Sequence, residues 1–263
     1  MKKHPLIWFY VLAFVLSWMG WAPMVAASQG VSFFQHPAFH FLLILPAVGP
    51  ALAAFLVQRN VLGHARASAW FRSLWRWRAN GLWLFVAMIL PALLLLADDG
   101  IARALGWSAS APMGQTTPAV ALSALVVALL SNPWEEVGWR GFALPRLQSR
   151  YTAFTATLIV GTLWALWHVP LFFWADNPMS HYPFGVWFVS TVANAFVYTW
   201  LFNSTGGSVT AVAVYHVANN TYGPIIGSGS VLSNGIVNVV VAAVVVTVFG
   251  VSHLSRNERT RAS

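Results

Sequence analysis

Two adjacent carboxylates, Glu135 and Glu136, close an uncharged stretch that runs from about Val120 to Trp134, and Arg140 follows four residues after the second. The chain holds only six acidic residues and is 58% hydrophobic. Two neighbouring acids inside an apolar run are costly there, and intramembrane ionisable groups mark functional sites by default. On a helix Glu136 and Arg140 share a face, with the acid N-terminal to the base, the better orientation for an ion pair. Glu135 projects about 100° away and meets no counter-charge at i+3 or i+4. A carboxylate without a partner in low dielectric is the type of group that serves as general base or acid.

Two further segments carry groups that can join it. In Trp164-Ala165-Leu166-Trp167-His168-Val169-Pro170 an imidazole lies inside the next apolar run. Glu135 and His168 flank a turn near Gln148 to Tyr151, and both sit roughly 20 to 25 Å from it along their helices, so they can meet at one depth. In Tyr215-His216-Val217-Ala218-Asn219-Asn220, His216 and Asn220 are four apart and project from one face. Two converging donors of this kind are what an oxyanion requires. From a turn near Gly206 and Gly207, His216 is only about 15 Å in. Helix tilt or a different boundary has to close that gap. Each of these polar groups can equally serve as hydrogen-bonding glue between helices.

The elements that hold these residues are read from hydropathy. With 8% charged residues, 15 tryptophans and a mean hydropathy of +0.67, the chain is an integral membrane protein. Apolar segments of spanning length fall near 5–26, 38–57, 81–98, 118–145, 152–174, 184–203, 209–226 and 233–254. The fold class is therefore all-α, a polytopic membrane bundle of about eight helices forming one integral domain over 1–263. The first segment, with Ala26-Ala27-Ser28 at its end, resembles a secretory signal but is long enough to be a retained helix. Lys2 and Lys3, the arginines between 59 and 78, Arg146 and Arg150, and Arg256, Arg259 and Arg261 all fall on one side of this topology. That side is cytoplasmic, with both termini, by the positive-inside rule. The rule also accounts for the net charge of +8, and no nucleic-acid partner is expected.

Between helices 2 and 3, residues 58–81 interleave arginines with Trp70, Phe71, Leu74, Trp75 and Trp77, the pattern of a basic helix lying in the membrane interface against lipid. Residues 108–118 read as an external loop, and Asp98, Asp99 and Asp176 as external connectors. His4, His36, His40, His64, His181 and His253 lie at helix ends or loops, in solvated or headgroup-level settings. With no cysteine, the chain has neither a thiolate nucleophile nor a disulfide framework.

Taken together, Glu135-Glu136 to Arg140, Trp164 to His168 and His216 to Asn220, with Leu144-Pro145-Arg146-Leu147-Gln148 following the first motif, resemble the CAAX protease and bacteriocin-processing (CPBP, Abi) family, which includes the type II CAAX prenyl endopeptidases. The family pattern is EExxxR, FxxxH and HxxxN or HxxxD, and the likeness covers 118–225. The departure is Trp164 where the family has phenylalanine, which reshapes the pocket wall. The resemblance implies an intramembrane endopeptidase of eight helices in a bacterial cell membrane, acting on a membrane-bound or leader-peptide substrate. Glu135 and His168 would activate water, His216 and Asn220 would stabilise the oxyanion, and Glu136 and Arg140 would support the site. The family carries both metalloprotease and glutamate-protease descriptions, and Glu135, His168 and His216 are the candidate ligands if Zn2+ is used. No HExxH is present. Two other functions are compatible with buried Glu and His: a non-catalytic scaffold or bacteriocin-immunity protein, and a proton-coupled transporter.

Overall fold

The computed structural model describes residues 1–76, 79–107, 116–227 and 229–262. Among them there is no strand, and the helices are α1 (Pro5–Ser28), α2 (Ile44–Leu62), α3 (His64–Leu74), α4 (Gly81–Ala104), α5 (Pro118–Gly138), α6 (Leu144–Gln148), α7 (Ala153–Trp167), α8 (Phe184–Ser204), α9 (Val209–Ile226) and α10 (Val231–His253). A π-turn, Trp139–Ala143, joins α5 to α6. Among the described residues, six segments are long and apolar enough to cross a membrane: Pro5–Ser28, Pro37–Leu62, Gly81–Ala104, Pro118–Gln148, Phe184–Ser204 and Val231–His253. The chain is thus an all-α, integral, multi-pass membrane protein.

The other two predicted spans are helical but different in kind. The segment expected over 152–174 stops at Trp167, because Pro170 offers no N–H and disfavours helical backbone at Val169; the chain continues as a 3₁₀ turn, Val169–Phe172. α7 is apolar but has 15 residues, about 22 Å, short of a ~30 Å hydrocarbon core. α9 keeps its predicted bounds and has 18 residues, with His216, Asn219 and Asn220 diluting its apolar surface. α4 runs six residues past its predicted end at 98, so Asp98 and Asp99 are buried in its last turns. They do not lie in a connector.

The basic segment expected over 58–81 also divides. α2 reaches Leu62, the chain turns at Gly63 with φ of 84°, and α3 begins at His64. In and just after α3, Trp70, Phe71, Leu74 and Trp75 pack on the core while Arg66, Arg72 and Arg76 are exposed. Trp77, Arg78 and residues 108–115 of the expected external loop lie outside the described residues.

The helices alternate in direction, so the bundle has two distinct ends. At the basic end Arg146 donates to Gln58 (2.5 Å), and Gln148 and Asn203 exchange amide hydrogen bonds of 2.8 and 3.1 Å. At the opposite end the Ala175 N–H donates to Ser28 (3.1 Å), and Asn234 donates to Asp98 (3.3 Å). Close helix contacts hold the register. A Cβ on Gly138 would lie 2.6 Å from the Pro50 ring on α2, so only glycine lets α5 approach there, two residues after Glu136.

Candidate functional site

The site begins with the break in α5. Pro145 has no N–H to give the Gly141 carbonyl, and the turn before it widens into the π-turn that carries Arg140. Such turns recur at functional sites. Arg140 still reaches back to Glu136: its Nη1 donates to both carboxylate oxygens at 3.0 and 3.2 Å. The guanidinium lies between two aromatic faces, 4.1 Å from the Tyr198 ring centre and 4.5 Å from that of Trp164. Weakly hydrated guanidinium suits such a desolvated sandwich.

Glu136 has a second partner that local spacing does not reveal. Nδ1 of His216, on α9, donates to Glu136 Oε1 at 2.8 Å. The expected mismatch in depth is thereby closed. Glu136 stands twelve residues before Gln148 and His216 eight after Ser208, about 18 and 12 Å of helix, so α9 starts recessed from the level of Gln148. The C-terminal tail fills the recess: the Thr260 carbonyl accepts from Gln148 (2.7 Å), and the Thr260 side chain covers Gly207.

Glu135 points the other way, as its helical position requires, and it is buried. It is not without a partner, contrary to the expectation from i+3 and i+4: the Trp164 indole N–H donates to its Oε2 at 3.1 Å. Trp164 is thus more than a reshaped wall, since phenylalanine has no N–H to offer. His216, Glu136 and Arg140 lie within Coulombic range of this carboxylate.

His168 caps the C-terminus of α7, at the end of that helix, where the sequence suggested its interior. Its Nδ1 lies 2.8 Å from the Trp164 carbonyl, which can only accept, so Nδ1 is the donor and Nε2 keeps the lone pair. His168 and His216 both line one cavity of about 250 Å³, together with Tyr198, Asn219 and Asn220. Asn220 is exposed on that cavity and His216 is buried at its wall, whereas Glu135, Glu136 and Arg140 are buried and do not line it. His216 is held by Glu136 through one nitrogen and has only the other for the cavity.

Five of the six residues singled out from the sequence therefore fall into two linked groups, and Asn220 joins them only on the cavity wall. Glu136, Arg140 and His216 are bonded directly, and Glu135 and His168 are tied to opposite ends of Trp164, one to its indole and the other to its carbonyl. Tyr198, fully buried between Arg140 and His216, was not legible, and its aromatic neighbours gave no signal in one sequence.

Both imidazoles hold Nδ1 on an acceptor, the orientation that presents Nε2 to a metal or a water. However, among the described residues no three His, Cys, Asp or Glu side chains converge closely enough to hold an ion. The zinc set of Glu135, His168 and His216 is not assembled in this geometry.

Residues 117–222, which contain all six, match the profile of type II CAAX prenyl endopeptidases, Rce1-like. CAAX prenyl protease 2 of Methanococcus maripaludis is 30% identical over 131 residues, 46% of this chain and 48% of that protein. The chain spans about half the length of this curated relative.

Proposed function

We propose that this chain, whose residues 117–222 match the profile of Rce1-like type II CAAX prenyl endopeptidases, is an intramembrane endopeptidase that cleaves membrane-associated protein or leader-peptide chains. One observation carries the reading. A buried carboxylate with no cationic hydrogen-bond partner, Glu135, accepts from the indole of Trp164, and Trp164 lines one cavity with His168, His216 and Asn220.

In the proposed reaction a water held by Nε2 of His168 gives a proton to Glu135 and attacks the peptide carbonyl carbon. The carbonyl oxygen becomes an oxyanion and accepts hydrogen bonds from His216 Nε2 and the Asn220 amide. In this role His216 carries a proton on each nitrogen, one for Glu136 and one for the substrate. When the C–N bond breaks, the leaving amine takes the proton from Glu135, and the carboxyl product keeps the oxygen of the water. Glu136 and Arg140 do not touch substrate; they fix the ring of His216. The protein sits in the cell membrane with its basic end and both termini in the cytoplasm.

The test is the purified protein in sealed liposomes without an ion gradient, given membrane-anchored peptides whose products are read by mass spectrometry. Cleavage supports the proposal. A flux that requires a gradient, with no cleavage, makes the protein a transporter. A cellular phenotype that survives substitution of both Glu135 and His168 makes it a scaffold.

A further inference from the structure

At the basic end, apart from the catalytic residues, a cavity of about 360 Å³ lies between the start of α1, the α6–α7 turn and the C-terminal tail. Lys3 and His4 line it on one side, Arg146 and Arg150 on the other, and no Asp or Glu lines it. Among the described residues the ion pairs are Arg103–Asp99, Arg140–Glu136 and His216–Glu136, so Lys3, Arg146 and Arg150 have no carboxylate within 4 Å. Arg146 is the fixed member. Its guanidinium donates to two neutral acceptors, the Phe142 carbonyl (3.0 Å) and Gln58 (2.5 Å), and lies 3.7 Å over the Phe142 ring. The charge is held in place and left uncompensated.

The first turn of α1 adds to the same field. Pro5 opens the helix, the His4 side chain caps no amide, and no acid stands in the turn. The first amide to bond back is that of Trp8, on the His4 carbonyl, which leaves the N–H groups of Leu6 and Ile7 among the orphan donors of the helix start. Both residues line the cavity. Such donors, with the helix dipole behind them, favour an anion.

The remaining lining says which anion. Leu6, Ile7 and Leu147 stand beside the cations, and Ile7 and Trp8 are 60% and 43% exposed on a helix of membrane-spanning length, where they face acyl chains. Tyr151 completes the wall, half exposed, an aromatic with a polar tip of the kind that sits at headgroup level. A free inorganic anion would use the cations and none of this apolar surface.

We infer that the cavity binds the phosphodiester headgroup of an anionic phospholipid, the phosphate among Lys3, Arg146, Arg150 and the first amides of α1, the acyl chains along Ile7 and Trp8. By the positive-inside rule this is the cytoplasmic leaflet, where anionic lipids concentrate. The bound lipid ties α1 to α6, the short helix that follows the π-turn carrying Arg140. The site does not depend on the hydrolytic chemistry.

Lys3 and Arg150 are exposed, so their charges can be removed without disturbing the core. The purified protein in detergent is titrated with short-chain phosphatidylglycerol or phosphatidylcholine, with bound lipid counted by native mass spectrometry and stability followed by thermal unfolding. The parent is expected to retain phosphatidylglycerol in preference and to unfold at a higher temperature with it. Each Lys or Arg near a headgroup is worth about fivefold in affinity, so Lys3→Gln/Arg150→Gln should weaken phosphatidylglycerol by about 25-fold. Arg66→Gln/Arg72→Gln removes equal charge from exposed positions of α3 at the same end and should leave the affinity nearly unchanged. Equal weakening in the two double variants means a diffuse basic surface and overturns the site, as does a parent that shows no preference for phosphatidylglycerol. In a further arm inorganic phosphate replaces the lipid. If it stabilises the parent as much as phosphatidylglycerol does, and no longer does so in Lys3→Gln/Arg150→Gln, the ligand is a free anion and the lipid assignment is overturned.

Discussion

Replacing Glu136 by glutamine tests the centre of the site without changing its shape. The carboxylate accepts from Arg140 at 3.0 and 3.2 Å and from His216 at 2.8 Å, and none of the three side chains is more than 5% exposed. Glutamine has a single acceptor oxygen, so its NH2 must face a donor from one of the two partners. Each lost bond to a charged group is worth ~1.5–3 kcal/mol. Removing one member of a buried pair costs about 3–5 kcal/mol, because the other charge is stranded. The ring faces of Tyr198 and Trp164 continue to hold Arg140 and offset part of this, up to ~2 kcal/mol. A net loss of about 3 kcal/mol lowers the unfolding temperature of a chain this size by roughly 6–12 °C. Thermal unfolding in detergent measures it. The double variant Glu136→Gln/Arg140→Met, which removes both members of the carboxylate–guanidinium pair, is expected to recover most of the loss. A Glu136→Gln protein within ~0.5 kcal/mol of the parent, or a double variant as unstable as the sum of the singles, refutes the charge-cluster argument.

Trp164→Phe restores the residue type typical of the family and removes the N–H on Glu135 with part of the ring that faces Arg140, so at equal folded fraction kcat/KM on a reporter peptide should fall about 10- to 150-fold, with a stability loss of about 1–3 kcal/mol read from thermal unfolding; unaltered turnover means Trp164 does not orient the carboxylate. Asn220→Ala removes an oxyanion donor from an exposed position and should lower kcat by roughly 10²–10³-fold with stability within ~0.5 kcal/mol, measured by initial rates beside thermal unfolding. Gly138→Ala drives a Cβ to 2.6 Å from Pro50 and should destabilise by about 1–3 kcal/mol through overpacking of α2 on α5, again read from thermal unfolding.

What could be read from the chain was whatever depends on neighbours in sequence. The Glu136–Arg140 pair and the common face of His216 and Asn220 follow from helical spacing alone, and both helices formed over those residues. The partners of Glu135 and Glu136 could not be read, because they depend on how α7 and α9 are rotated against α5. Trp164 is 29 residues from Glu135 and His216 is 80 from Glu136. At 152–174 continuous apolarity masked the stop that Pro170 imposes, and at 58–81 alternating arginine and tryptophan masked the turn at Gly63. The recess of α9 needed the C-terminal tail, whose polar Thr260 gives no hydropathic hint that it packs beneath Gly207.

The most direct measurement is the single-turnover cleavage rate of Glu135→Gln beside the parent protein, in detergent, at equal folded fraction. A glutamine keeps an acceptor for Trp164 but cannot take a proton from water. The rate should therefore fall by about 10²–10⁴, the contribution of a positioned general base. Cleavage at an undiminished rate would mean that the acid held by Trp164 does not perform the hydrolysis, and the proposed chemistry would be wrong.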